Sequence, residues 1–207
     1  MFMGQRFLSV DEFVARYGDL PEGGRWTELV EGEVVTLSSP TVEHGTTVLN
    51  LSKALADYTH RDPRGYACFE LGLIISREPP VVRFPAVAYF RGGPLFAESD
   101  RIATETRPAL IVEVASSSDR RRGLERRVED WLEWGVPLVW VLDPLAKAAH
   151  TFEPGRAAVK YSDTEMLAGG TALLGFSVLV ADLFKEPDWW REPARRAGQQ
   201  RTEPDLA

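Results

Sequence analysis

The chain predicts an α/β fold, and three observations carry that expectation. Segment 110–115 (Leu-Ile-Val-Glu-Val-Ala) is a short continuous apolar run, the pattern of a strand at a sheet centre. Segment 119–134 follows it with Leu124, Val128 and Trp131 as a buried helical stripe. After Gly135-Val136 a second apolar run, 138–142, ends at Asp143-Pro144, and the later runs 150–153, 157–161 and 173–178 suggest an antiparallel β extension.

The remaining elements follow from local signals. Ser9-Val10-Asp11-Glu12 has the form of a capping box and opens a short helix to about Tyr17, which Gly18 and the stretch 21–24 end. Segments 26–30 and 34–37 flank Glu31-Gly32 and read as a hairpin. A helix is expected over 42–59, with His44, Val48, Leu51, Leu55 and Tyr58 on one face. Two strands, 66–76 and 81–90, flank Pro79-Pro80, and 92–106 reads as a polar loop. Segment 180–184 closes the ordered part as a last helical turn. Residues 1–184 are therefore expected to form one domain, and 185–207, almost without apolar periodicity, a disordered tail.

Composition narrows the possibilities. The chain has 207 residues and is 44% hydrophobic, enough for one substantial core. No apolar run reaches the ~18–20 residues of a membrane span, and the N-terminus lacks the apolar centre of a signal peptide. The single cysteine, Cys68, has no internal disulfide partner and reads as a small buried hydrophobe. These features predict a cytoplasmic protein without membrane association. The net charge of −7 opposes broad attraction to nucleic acid, although five of the 24 basic residues fall between Arg120 and Arg127. Three histidines and one cysteine make structural zinc improbable, and neither a phosphate-binding glycine loop nor a Gly-x-Ser-x-Gly elbow is present.

Glu113 stands out because a carboxylate inside an apolar strand is costly unless a cation or metal pairs with it. Strands 81–90 and 110–115 could bring ligands to one edge, and the helix after Glu113 could return a cation over it. Five stretches then carry a resemblance: Trp-Thr-Glu-Leu-Val-Glu-Gly-Glu-Val (26–34), Ser-Ser-Pro-Thr-Val-Glu-His-Gly (38–45), Val-Arg-Phe-Pro-Ala-Val-Ala-Tyr (82–89), the segment 108–118, and Trp-Leu-Glu-Trp-Gly-Val-Pro-Leu-Val-Trp-Val-Leu-Asp-Pro (131–144). In this order they resemble a restriction endonuclease family of the PD-(D/E)XK nuclease superfamily, over about 25–184. The resemblance implies a restriction-endonuclease-like mixed sheet flanked by helices, with Mg²⁺-dependent DNA cleavage as the family activity.

The same resemblance implies a degenerate active site. The family's Pro-Asp pair falls on Pro85-Ala86, so the metal-binding aspartate is alanine. The catalytic glutamate falls on Glu113, which would then hold any Mg²⁺, with Glu28 and His44 at the family's early glutamate and histidine. The pattern Lys-x-x-x-Tyr-x-x-x-Gly-Val falls on Arg127, Trp131, Gly135 and Val136, so the lysine is arginine. Arginine can stabilise phosphorane charge but cannot serve as a base, with a pKa above ~12. The expectation is an endonuclease relative with impaired or absent cleavage, or a non-catalytic module binding nucleic acid or protein.

Each position has a plainer reading. Glu113 and Arg127 could form a structural pair, Arg127 could lie on the surface, His44 could cap or line the cleft, and Glu28 could pair with any of several arginines. Glu70 and Glu31 are the other acids that could replace the missing aspartate. Arg120, Arg121, Arg122 and Arg126 are either a solvated helix face or a DNA phosphate-contacting patch. Finally, a Trp-rich helix edge together with Trp189-Trp190 could form a homodimer contact, making a homo-oligomer the expected assembly.

Overall fold

In a computed structural model, which describes residues 7–187, three sheets, five α-helices and two short 3-10 helices assemble in the order the patterns suggest. Helix α1 (Val10–Ala15) starts at Ser9, whose side chain accepts from the Glu12 backbone N–H while the Glu12 carboxylate accepts from the Ser9 N–H. Strands β1 (Thr27–Val30) and β2 (Glu33–Thr36) form the expected hairpin. Helix α2 (Val42–Arg61) is capped by Thr41 and buries Leu51, Leu55 and Tyr58.

The two long strands expected over 66–76 and 81–90 are each broken in two. The first becomes β3 (Gly65–Phe69) and β4 (Gly72–Arg77), the second β5 (Pro80–Arg83) and β6 (Val87–Arg91). The breaks fall at Glu70, whose φ is 51°, and at Phe84-Pro85-Ala86. Each half then joins a different sheet. One sheet runs β2-β1-β5-β4-β7, where β7 (Ala103–Thr104) is a short parallel strand inside the segment expected to be loop. The helices include α3 (Ser118–Arg122) and α4 (Leu124–Glu133), so the helix expected over 119–134 is split at Gly123.

The second sheet is six-stranded and mixed. With β8 (Leu110–Val114), β9 (Val139–Asp143), β10 (Ala148–Phe152) and β11 (Val159–Tyr161), its order is β11-β10-β9-β8-β6-β3. Only β8 and β9 pair in parallel, as expected for strands joined by a helical crossover. The segment 173–178 does not extend this sheet. A third, two-stranded sheet pairs β12 (Met166–Ala168) with β13 (Ser177–Leu179), ahead of α5 (Val180–Leu183).

Alternation along β8 divides the core. Leu110, Val112 and Val114 pack with Trp140, Leu142 and the α2 and α5 side chains. Ile111 and Ala115 pack on the opposite face with Val139, Val141 and the α4 residues Val128 and Trp131. Glu113 shares that second parity, so the fold turns the one acid of β8 toward α4. Of the Trp-rich edge expected at a dimer contact, Trp131 is fully buried and Trp134, half-buried, packs against it under the Arg107 guanidinium. Trp189-Trp190 and most of the expected tail lie outside the described residues. Cys68 is buried, and among the described residues no helix is long and apolar enough to cross a membrane.

Candidate active site

Four elements bring five charged side chains and one tryptophan to one buried point. Glu28 comes from β1, Arg83 from the end of β5, Glu113 from β8, and Arg127, Asp130 and Trp131 from α4. Each of the six is at least 92% buried by relative accessibility, Arg83 and Asp130 being the most exposed at 8%. On α4, Arg127 and Trp131 are one turn apart and share the face over Glu113.

The Arg127 guanidinium lies between two carboxylates. Its Nη2 donates to Glu113 Oε1 at 2.9 Å and Oε2 at 3.1 Å, and its Nε donates to Oε1 at 3.2 Å. Its Nη1 donates to Glu28 Oε1 at 2.6 Å and also to Oε2. The Trp131 indole N–H adds a 2.8 Å bond to Glu113 Oε1. Glu28 further accepts from the Phe84 backbone N–H at 3.0 Å and from Arg83 Nη1 at 3.2 Å. Arg83 grips Asp130 Oδ2 through Nε and Nη2, at 2.8 and 2.6 Å, while Arg126 reaches Asp130 Oδ1 from the surface at 2.9 Å.

Electrostatics follow this geometry. Burial works against the Glu28 carboxylate, but the charges and hydrogen bonds of Arg127, with Arg83 and the Phe84 N–H, hold its pKa below the ordinary value. Burial likewise opposes the Arg127 cation, and Glu113 and Glu28 outweigh it, raising a pKa already too high for proton exchange. Arg127 therefore stays charged and has no proton to trade.

This donor set does not fit the Mg²⁺ that the resemblance implied. Mg²⁺ takes oxygen donors near 2.0–2.1 Å in octahedral array. Here the oxygens of Glu113, the residue expected to hold the ion, accept from Arg127 and Trp131, and both oxygens of Glu28 accept from arginines. Ala86 offers no side-chain oxygen. Among the described residues no group of three or more acidic, histidine or cysteine side chains is disposed to hold a metal.

Ala86, in the bend between β5 and β6, lines a small cleft with Glu28, His44, Arg120, Trp26 and Phe84. Glu113 and Arg127 meet each other directly but do not line this cleft; Glu28, which bonds Arg127 and lines the cleft beside Ala86, is the residue common to both. His44, in the first turn of α2, is 5% exposed, and its Nδ1 pairs with Ser116 Oγ at 3.0 Å. Burial, aided by the Arg120 charge, lowers its pKa to about 4, so the ring is neutral near pH 7. Glu70 opens onto the same cleft from the exposed break between β3 and β4, whereas Glu31 sits in the β1–β2 turn at a φ of 52° and does not line it.

The four remaining arginines do not form one patch. Arg121 is held by Asp143 through two bonds of 2.6 Å, and Arg126 by Asp130. Arg122 is exposed and has no ion pair among the described residues, and Arg120 lines the cleft. The sequence reading missed Arg83 and Asp130, and placed Trp131 in the buried stripe and at the tyrosine of the family pattern without giving it a role at Glu113. A signal existed for Arg83, a charge within the apolar stretch Val81-Val82-Arg83-Phe84; Asp130 carried none.

The comparisons agree with this architecture. The Uma2 family model, described as "Putative restriction endonuclease", matches residues 10–183. A crystal structure described as a putative nuclease belonging to DUF820, from Anabaena variabilis, superposes with a TM-score of 0.71 at 16% identity, covering 86% of this chain and 97% of that one. At that identity the likeness speaks for the fold alone. No curated protein matches the sequence.

Proposed function

This chain belongs to the Uma2 family, described as putative restriction endonucleases, and from that membership we propose that it is a nuclease-fold protein in which a buried arginine clamp has replaced metal-dependent cleavage. The single observation carrying this reading is the Arg127 guanidinium between Glu113 and Glu28. In the PD-(D/E)XK reading, position 86 lacks its metal aspartate, position 127 lacks its lysine, and the space between the acids is filled by a cation that cannot ligate phosphate oxygens as a metal does or abstract a proton. What remains is binding. The protein then acts by holding nucleic acid without cutting it.

The test is incubation of purified protein with supercoiled plasmid in Mg²⁺ or Mn²⁺, beside a variant carrying Ala86→Asp and Arg127→Lys. The expected result is no nicking by the natural chain and metal-dependent nicking by the folded double variant. Cleavage by the natural chain that disappears in Glu113→Gln would overturn the reading.

A further inference from the structure

Three buried carboxylates, Glu28, Glu113 and Asp130, are matched by three arginines. Arg127 pairs with Glu28 and Glu113, Arg83 with Glu28 and Asp130, and Arg126 with Asp130. Arg120 is a fourth cation beside the same cluster, and its side chain makes no hydrogen bond or salt bridge among the described residues. Its Nε is buried without an acceptor. The adjacent acid does not serve it: the Asp119 oxygens accept from the Ser38 N–H, the Ser117 hydroxyl and the Arg120 backbone N–H. A half-buried guanidinium with an unsatisfied N–H is expensive to keep unless something supplies the missing acceptor.

The surroundings describe that missing group. The cleft that Arg120 enters holds about 60 Å³, room for a few waters or one tetrahedral oxyanion. Arg25, exposed and without an ion pair among the described residues, stands on its rim. Neutral His44 adds no counter-charge; Glu28, which lines the cleft and with Glu113 and Asp119 attracts Arg120 through space, has both oxygens bonded to Arg127, and Glu70 is the exposed acid at the mouth. One wall is aromatic: Tyr17 and Phe84 stack at 5.3 Å with an interplanar angle of 18°, and Trp26 lies beside them. Two arginines and three aromatic side chains lining one small hollow suit a phosphate that carries a base.

We propose that Arg120, supported by Arg25, binds a phosphoryl group in this cleft, with Trp26 and the Tyr17–Phe84 stack receiving the attached nucleobase. The assignment rests on the binding half of the function proposed above and is indifferent to whether cleavage survives. The phosphate can belong to a free nucleotide or to a nucleic-acid strand.

The experiment uses the full chain in EDTA, titrated with inorganic phosphate, adenosine 5′-monophosphate, and a single-stranded oligodeoxynucleotide. Tryptophan fluorescence and melting temperature are read against chloride at equal ionic strength. Binding above the chloride control is expected. Arg120→Gln should weaken it about tenfold or more, the loss typical of a charged hydrogen bond. Arg120→Lys and Arg25→Gln should each weaken it less. No response beyond chloride with any probe, or equal affinity in a folded Arg120→Gln, overturns the proposal. Tighter binding of the oligonucleotide assigns the strand as the source. Tighter binding of the mononucleotide keeps the Arg120 site and removes the nucleic-acid reading. Oligonucleotide binding unchanged in Arg120→Gln removes the site and leaves that reading standing.

Discussion

Replacing Arg127 with methionine should be among the most destabilising single changes in the chain. Methionine matches much of the length of the arginine stem but leaves Glu28 and Glu113 facing each other without the cation that separates them. Both carboxylates are at least 95% buried, so water cannot take over. Breaking a buried ion pair by removing one partner typically costs about 3–5 kcal/mol. For a chain of this length that corresponds to a fall in melting temperature of about 6–20 °C. The pH dependence identifies the cause. In the natural protein Glu28 titrates below its ordinary value, so its contribution is present above the unfolded pKa and lost only as pH falls through the lower folded one. In Arg127→Met the burial of Glu28 loses its main offsetting charge and should push that carboxyl's pKa up, so stability should fall as pH rises from about 4.5 toward 7. Urea denaturation followed by tryptophan fluorescence at pH 5 and pH 7 measures both effects. A loss under about 1 kcal/mol at pH 7, or a loss identical at the two pH values, would refute the clamp as a charge-pairing device.

Two further outcomes are expected. Trp131→Phe removes the 2.8 Å indole bond to Glu113 and part of a fully buried ring, and should cost about 2–4 kcal/mol in the same denaturation assay. His44, with a folded pKa of about 4 against about 6.5 unfolded, makes the unfolded chain the stronger proton binder between those values. Stability should therefore rise with pH across that window, by up to about 3 kcal/mol, and His44→Gln should flatten that part of the stability curve; an unaltered slope would mean that another group titrates there.

Local patterns carried much of the fold. The capping box at Ser9, the hairpin around Glu31-Gly32, and the 110–142 strand–helix–strand unit appear with shifts of a few residues, because each depends on neighbours in the chain. The errors share one origin. Segments 66–76 and 81–90 look continuous because both halves are apolar, yet each changes sheet midway: β5 pairs with β1 and β6 with β8, while β4 follows β5 into the first sheet and β3 follows β6 into the second. The arginine run reads as one patch because its members are adjacent in sequence. Helical geometry sends Arg121 to Asp143, Arg126 to Asp130, Arg127 into the core and Arg120 into the cleft.

The chain alone determined that Glu113 would need a positive partner, since an acid amid Leu110, Ile111, Val112 and Val114 has no other means of staying charged. It also placed an arginine one helical turn before Trp131, where a partner could return. Tertiary structure decided which cation meets which acid. Arg127 joins Glu28 across 99 residues, and Arg83 joins Asp130 across 47. Coulomb attraction depends on separation in space and on exclusion of water, and neither exists until β1, β5, β8 and α4 have packed together.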